Sequence, residues 1–596
     1  MSLAGPLAEG YVFAVLCGSL LLFLWGKWRY DVVALLALLA VGLADVLPRD
    51  QLFAGFGHPA VITVAAVLVV GRGLAEAGVV DLLASWLARA GEAPLVRLVL
   101  LTLLVTVASA FMNNVGALAL LMPVAVRMAR GSGQSPSLFL MPMAFGSLLG
   151  GLMTLIGTPP NIILATLRGD VTGEPFRMFD FAPVGAVVAG AGAVLVVAAA
   201  RWLVPRREGA VPGELFRIED YLTELQAPEG SGAVGRTVRE LVEGSKGEVL
   251  VVAVVRRGRW QAVVSAAEKV AEGDLLVVEA DRDALETLVE RFGLEPAASR
   301  GIEEEIRGAG GVDLQEAVVL PGSVLVGRSS KSIRMRQRFG VNLLAVSRQG
   351  SSLRERLADV EVHAGDVLLL EGPEGTVREA MAAMGCVPLA APQLRVRPAR
   401  RVLLGTGLFA GAVVATATGV VRVEVAFVGV AVLMVLAGVV RLRHAYESID
   451  WPVILLLGAM IPVGQALEVT GGADRLAGWL LTAGRELPET GAVALVLVVS
   501  MLLSNVINNA AAAVLLAPVA VGLAQGLGAS ADPFLMAVAV GASCAFLTPI
   551  GHQSNTLVMG PGGYGFGDYW RLGLPLSLLV AALGAPLIVW IWPLGV

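Results

Sequence analysis

Apolar residues fill the first and last thirds of the chain in runs of about 20, the length a helix needs to cross a hydrocarbon core. These runs predict spans near residues 10–27, 31–48, 59–78, 135–167 and 181–203, and again near 401–419, 424–440, 452–470, 533–556 and 572–594. Two longer apolar stretches, 94–126 and 490–524, are each interrupted midway by an Asn-Asn pair. A hairpin of two half-length helices suits them, because paired amides in a full span would sit at an awkward depth in lipid. Residues 205–400, in contrast, are charged and alternate apolar with polar positions, which predicts strands and turns.

The two apolar blocks are repeats. SAFMNNVGALALLMPVAV from Ser109 matches SNVINNAAAAVLLAPVAV from Ser504, with Asn113/Asn508, Asn114/Asn509 and Pro123/Pro518 all 395 residues apart. TLIGTPPN from Thr154 matches TPIGHQSN from Thr548, with Gly157/Gly551 and Asn161/Asn555 offset by 394. About five crossings and one re-entrant hairpin per block is an odd number of crossings, so the repeats have opposite orientations. Such inverted repeats mark secondary transporters whose site lies at the repeat interface.

Composition agrees with a polytopic α-helical membrane protein. The mean hydropathy is +0.76, 56% of residues are hydrophobic and only 16% are charged, which excludes an ordinary soluble enzyme. Three scattered cysteines offer neither a disulfide framework nor a metal site, and a net charge of −5 argues against nucleic acid as a partner. The run Tyr11–Trp25 follows Glu9 and precedes Lys27 and Arg29, the reverse of a signal peptide, and reads as a retained span. Lys27, Arg29, Arg127, Arg130, Arg201, Arg206, Arg207, Arg400, Arg401, Arg441 and Arg443 fall on one side if the crossings alternate. By the positive-inside rule that side is the cytoplasm, so both termini face outward and the middle block is cytoplasmic, in a cell-membrane protein.

The middle block is itself duplicated. AVGRT (Gly235), RRG (Gly258) and EGDLLVVE (Gly273) recur 92 residues later as LVGRS (Gly327), RQG (Gly350) and AGDVLLLE (Gly365). Val249–Val255 and Leu368–Glu371 read as strands, Ala284–Phe292 and Thr376–Met384 as closing helices. These units resemble the TrkA-C module of potassium-conductance regulators, and GAGG at Gly308–Gly311 reads as a linker. The domains are then repeat 1 (1–204), two α/β modules (205–300 and 301–392) and repeat 2 (393–596). As a regulator the middle block would bind a small ligand; the alternative is a folded cytoplasmic spacer.

No charged side chain lies between Arg97 and Arg127, between Arg130 and Arg168, or between Glu489 and Asp532; from there to Asp568 only His552 could titrate near neutral pH. A proton relay needs an intramembrane carboxylate or histidine, and an anion site built on Arg or Lys is equally unavailable. Amides, hydroxyls and backbone remain. Half-helix N-termini favour an anion, while amide oxygens, serine hydroxyls and unwound carbonyls suit Na⁺. One Asn pair alone would read as helix caps; the repeated constellation argues for ion sites. Ser109 and Asn113, four apart, are expected to share a helix face, as are Ser504 and Asn508. Gly157-Thr158-Pro159-Pro160-Asn161 reads as a helix break that frees carbonyls, and His552, the counterpart of Thr158, either bonds a carbonyl or touches substrate.

IGTPPN, the paired hairpin motifs and TPIGHQSNTLVMGPGGYGFGDY resemble the divalent anion:sodium symporter family of the ion transporter superfamily, across both membrane blocks. The resemblance implies a homodimer in the lipid bilayer, elevator-type motion and Na⁺ as coupling ion for a small anion. It places one Na⁺ on Ser109, Asn113, Asn114 and Gly157, and a second on Ser504, Asn508, Asn509 and Gly551. Substrate would meet Asn114, Asn509, Thr158, Pro159, His552 and Ser554. The family's Ser-Asn-Thr hairpin motif is here Asn113-Asn114-Val115 and Asn508-Asn509-Ala510. Without those threonine hydroxyls, sulfate or another small oxyanion is as open as a dicarboxylate; members with inserted TrkA-C modules include sulfate transporters, which favours sulfate. Proton-coupled anion transport is the alternative. A ligand-gated channel would call for a repeated filter such as TVGYG, which is absent, and no nucleophile–base pair in the apolar blocks suggests an enzyme.

Overall fold

Helix lengths recur along the chain because the apolar runs do. The computed structural model describes residues 6–595 apart from 26, 80–92, 207–222, 246–248, 257–258, 263–266, 281, 298–311, 350, 354–356, 358, 374, 390–398, 473–474 and 476–488. Arg207, Gly258, Gly308–Gly311, Gly350 and the module junctions near 300 and 392 lie outside the described residues. The first block forms helices Pro6–Trp25, Tyr30–Leu43, Pro59–Ala77, Pro94–Ser109, Asn114–Gly131, Ser137–Gly151, Pro159–Thr172 and Ala182–Leu203. The last forms Ala399–Ala417, Val423–Leu436, Trp451–Val469, Glu489–Ser504, Asn509–Leu527, Ala531–Ala542, Gln553–Gly562 and Tyr569–Ile591, with a short helix Leu442–Glu447 between the second and third. Corresponding helices agree in length: 14 residues for the second of each block, 19 for the third and 16 for the fourth. Six helices among the described residues are long and apolar enough to cross a membrane. The chain is a polytopic helical membrane protein.

The runs 135–167 and 533–556, expected as spans broken near Gly157 and Gly551, are each two helices joined by an irregular segment. In the first, Pro159 occupies the opening helical turn and forces Thr158 into an extended conformation (φ −148°, ψ 145°). The second lacks the proline pair, yet His552 adopts the same conformation (φ −146°, ψ 141°) and its ring caps the new helix by accepting from Ser554 N–H at 3.0 Å. Proline chemistry in one half and histidine capping in the other produce one backbone shape.

Each hairpin backs onto the broken span of its own block through small residues. A Cβ on Gly150 would collide with Thr106 O, and one on Gly541 with Leu497 O. The second hairpin helices cross over: Asn114–Gly131 packs on Gln553–Gly562, and Asn509–Leu527 on Pro159–Thr172. Exchange also ties the outer helices, Tyr30–Leu43 to Trp451–Val469 and Val423–Leu436 to Pro59–Ala77. A bidentate ion pair, Arg168 to Asp532 at 2.7 and 2.9 Å, joins the blocks at the far end of Pro159–Thr172.

The charged middle block forms two five-stranded antiparallel sheets. The first holds β1 (Thr223–Gln226), β2 (Val249–Arg256), β3 (Arg259–Ala262), β4 (Leu275–Ala280) and β5 (Glu295–Pro296), in the order β3-β2-β4-β1-β5. The second holds β6 (Val312–Val319), β7 (Asn342–Arg348), β8 (Ser351–Ser352), β9 (Val367–Pro373) and β10 (Cys386–Pro388), in the equivalent order β8-β7-β9-β6-β10. Helices Arg282–Phe292 and Thr376–Met384 follow β4 and β9. The 92-residue period extends to a charge clamp: Arg256 donates to Asp274 (2.9 and 2.8 Å) and to Lys269 O, Arg348 to Asp366 (2.9 and 2.8 Å) and to Glu361 O. The second sheet also touches the membrane block. Gly365, at φ +85°, lies so close to helix Gln553–Gly562 that a Cβ there would be 2.6 Å from Thr556 O, and a Cβ on Gly560 would collide with Gly365 O.

Candidate ion and anion site

The turn of each hairpin is pinned to the break of its own broken span. Thr154 Oγ1 donates to Ala110 O, and Thr548 Oγ1 to Asn505 O at 2.6 Å. Asn161 Nδ2 bridges Gly151 O (3.1 Å) and Thr154 O (2.8 Å), and Asn555 Nδ2 bridges Ala545 O (2.8 Å) and Thr548 O (3.0 Å). The asparagines thus satisfy carbonyls within each break and the threonines tie the break to the hairpin turn, as burial demands. Glycine is required at the closest approach. A Cβ on Gly157 would lie 2.6 Å from Gly151 O, and one on Gly551 would lie 2.9 Å from Ser504 O.

The polar atoms left over converge on oxygen. One terminal atom of the buried Asn114 amide is surrounded by Ser109 Oγ at 2.6 Å, Gly157 O at 3.2 Å and Ser147 O at 3.2 Å. In the second block Ser504 Oγ lies 3.0 Å from Asn509 Oδ1 and also donates to Ala542 O. Neutral oxygens clustered in a region without charged side chains are a fitting set for a hard monovalent cation. Among the described residues, two buried donors beside them lack any partner, Asn509 Nδ2 and Thr158 Oγ1. Orphaned donors are costly unless a ligand satisfies them, and both stand at the start of half-helices whose dipole ends favour negative charge.

The half-sites meet across the repeats. His552 Nε2 lies 3.5 Å from the outer terminal atom of the Asn114 amide, and Ser147 Oγ donates to Ser554 Oγ at 3.3 Å. Tyr564 braces this junction by donating to Ser137 O and accepting from Met141 N–H at 2.9 Å.

Residues 20–541 match the family model described as citrate transporter. The chain belongs to the citrate transporter family. It is similar to the uncharacterized transporter YfbS of Escherichia coli strain K12, 32% identical over 98% of this chain and 99% of that protein. It is likewise similar to the uncharacterized transporter sll0640 of a Synechocystis strain, 30% identical over 97% and 96%. A more distant relative is the probable sodium/sulfate cotransporter 3 of Chlamydomonas reinhardtii, 22% identical over 88% and 82%. The protein is a membrane transporter, not an enzyme.

Within this transporter the structure brings together most of the residues singled out from sequence. Ser109, Asn114 and Gly157 form one cluster; Ser504, Asn509 and Gly551 form its counterpart; His552 and Ser554 reach the first from the opposite repeat. Pro159 opens its helix at the break, behind Thr158. Asn113 and Asn508 stand differently. Their Oδ1 atoms accept from Val115 and Ala510 N–H, each at 2.9 Å, so both side chains are helix caps. Ser109 does not share a helix face with Asn113, because the helix ends at Ser109 and the chain turns before Asn114; Ser504 and Asn508 are separated in the same way. Thr154, Asn161, Thr548 and Asn555 were visible in the repeated motif but not as the pins of the loops. Asn505 had no signal, since its counterpart Ala110 contributes only a carbonyl.

Proposed function

We propose that the chain is a Na⁺-coupled symporter of a small divalent oxyanion, with sulfate favoured over dicarboxylates. The supporting observation is the doubled oxygen cluster beside unpartnered donors in a region free of charged side chains. A doubly charged anion there meets only partial charges from helix ends, about half a unit each, so co-bound cations supply the rest. The sodium/sulfate names of the Chlamydomonas relatives agree with this reading. The repeats lie inverted, each hairpin is re-entrant, and the paired half-sites move together as an elevator within a homodimer, as the resemblance implies. Uptake of labelled sulfate, succinate and citrate into proteoliposomes tests the proposal: sulfate accumulates under an inward Na⁺ gradient and not with choline. Accumulation driven equally by a proton gradient would favour the alternative centred on His552.

The two middle modules are TrkA-C-like regulators, with domain limits at 1–204, 205–300, 301–392 and 393–596. The contact of Gly365 with helix Gln553–Gly562 gives the second module direct purchase on the helix that starts at the site. Docking that fits one state of the transport cycle stabilises that state, so releasing it speeds departure. Gly560→Ala places a Cβ against Gly365 O. It will raise the initial uptake rate up to about 5-fold for a contact worth about 1 kcal/mol, with anion affinity preserved. An unchanged rate would remove this contact from the regulatory account.

A further inference from the structure

We propose that Asn114 is a sodium-driven switch. Without Na⁺ its NH₂ donates into the oxygen cluster and its carbonyl accepts from His552; Na⁺ turns the amide over and presents the NH₂, together with the freed His552 N–H, to the anion. The inference rests on the Na⁺-coupled reading and deepens it.

Two hydrogen-bonding constraints set the orientation of the amide in the absence of Na⁺. The inner terminal atom of the amide faces only oxygens, Ser109 Oγ, Gly157 O and Ser147 O. An NH₂ in that place can donate to these oxygens, whereas a carbonyl there accepts from the Ser109 hydroxyl alone and is left facing two carbonyl oxygens. The outer terminal atom faces His552 Nε2 at 3.5 Å. Because His552 Nδ1 accepts from Ser554 N–H, the ring proton sits on Nε2. A carbonyl facing that N–H makes a bond, whereas an NH₂ would set donor against donor. Both constraints are met by one orientation, NH₂ inward and carbonyl outward.

Sodium inverts the preference. A cation among Ser109 Oγ, Gly157 O and Ser147 O requires the amide oxygen inward and excludes NH₂. Oxygen and nitrogen of an amide are nearly the same size, so half a turn about the side-chain bond exchanges them without disturbing the packing. The outward atom then changes from acceptor to donor. Sulfate and similar anions only accept hydrogen bonds, so they are repelled before sodium binds and attracted afterwards. His552 loses its acceptor in the same movement and can donate to the anion. Linkage makes the effect reciprocal: bound anion holds the amide in the orientation that retains Na⁺.

The second repeat lacks this latch. Asn509 already points Oδ1 towards Ser504, its Nδ2 has no partner, and the counterpart of His552 is Thr158, whose hydroxyl is also unpartnered. The switch therefore belongs to the first half-site and depends on His552.

The chain has four histidines, so full-length protein labelled with ¹⁵N-histidine in nanodiscs gives a readable spectrum, and His552→Gln assigns the signal. In anion-free buffer, Na⁺ should shift the His552 Nε2 resonance and choline should not. Asn114→Asp offers oxygen on both faces, so it should bind Na⁺ in a calorimetric titration while its His552 signal stays insensitive to it. A native His552 signal indifferent to Na⁺, or one that still responds in Asn114→Asp, overturns the switch. Na⁺-dependent anion binding with a silent His552 removes the switch alone. A responsive His552 in protein that carries no anion would keep the switch and remove the symport reading.

Discussion

Asn114→Ala will weaken anion binding in saturating Na⁺ by about 100-fold and will weaken Na⁺ binding with it. The amide joins the oxygen cluster of Ser109, Gly157 and Ser147 to the half-helix that begins at His552. One charge-assisted hydrogen bond to an anion contributes about 2–3 kcal/mol, and each 1.4 kcal/mol is tenfold in affinity. Asn509→Ala removes the matching donor, which has no other partner to lose, and should cost a similar amount. Aspartate at either position should harm anion binding more than alanine, because it places negative charge beside the substrate while still offering oxygen to Na⁺. Calorimetric titration of purified protein with sulfate, at fixed Na⁺, reads these differences. Loss of anion affinity with Na⁺ affinity intact in the alanine variants would separate the two sites and contradict the shared role.

Gly157→Ala will abolish coupled transport, and Gly551→Ala will come close to doing so. The added methyl at 157 would sit 2.6 Å from Gly151 O and 2.9 Å from its Cα, backbone atoms that cannot swing aside. The loop must then move away from the end of helix Ser137–Gly151. Such overpacking costs about 1–3 kcal/mol even in tolerant cores, and here the displaced atoms include a carbonyl of the oxygen cluster. At 551 the clash is with Ser504 O and Asn505 Cα, each at 2.9 Å. Na⁺-dependent uptake in proteoliposomes, on protein shown by thermal unfolding to be folded, measures the effect. Uptake within twofold of the native rate would mean that Gly157 O takes no part.

The architecture was legible in the sequence wherever a repeat amplified a weak signal. Apolar run lengths place the helices, and the 395-residue offset ties Asn114 to Asn509. The 92-residue offset likewise paired strands that later proved to share one sheet order. Contacts between the repeats were not legible. The approach of His552 to Asn114 joins residues 438 positions apart that do not correspond in the repeat, so no periodicity links them. The capping of Ser554 by His552 was hidden for another reason: in the first repeat proline does the same work, and the aligned residues share no chemistry. The cap role of Asn113 and Asn508 is a local turn decision, because adjacent amides compete for the first free N–H groups of the helix. Docking of Gly365 on Gly560 depends on how two separately duplicated halves of the chain meet, which neither repeat encodes.

If co-bound sodium supplies the positive charge of the site, anion affinity depends on it. Purified full-length protein is titrated with sulfate by calorimetry, first in Na⁺ and then with choline replacing it at equal ionic strength. With no Arg, Lys or carboxylate in the sequence segments that form the site, affinity should fall at least about 100-fold in choline, the equivalent of about 2.7 kcal/mol of linkage. Equal affinity in the two salts would contradict the claim that co-bound sodium supplies the positive charge.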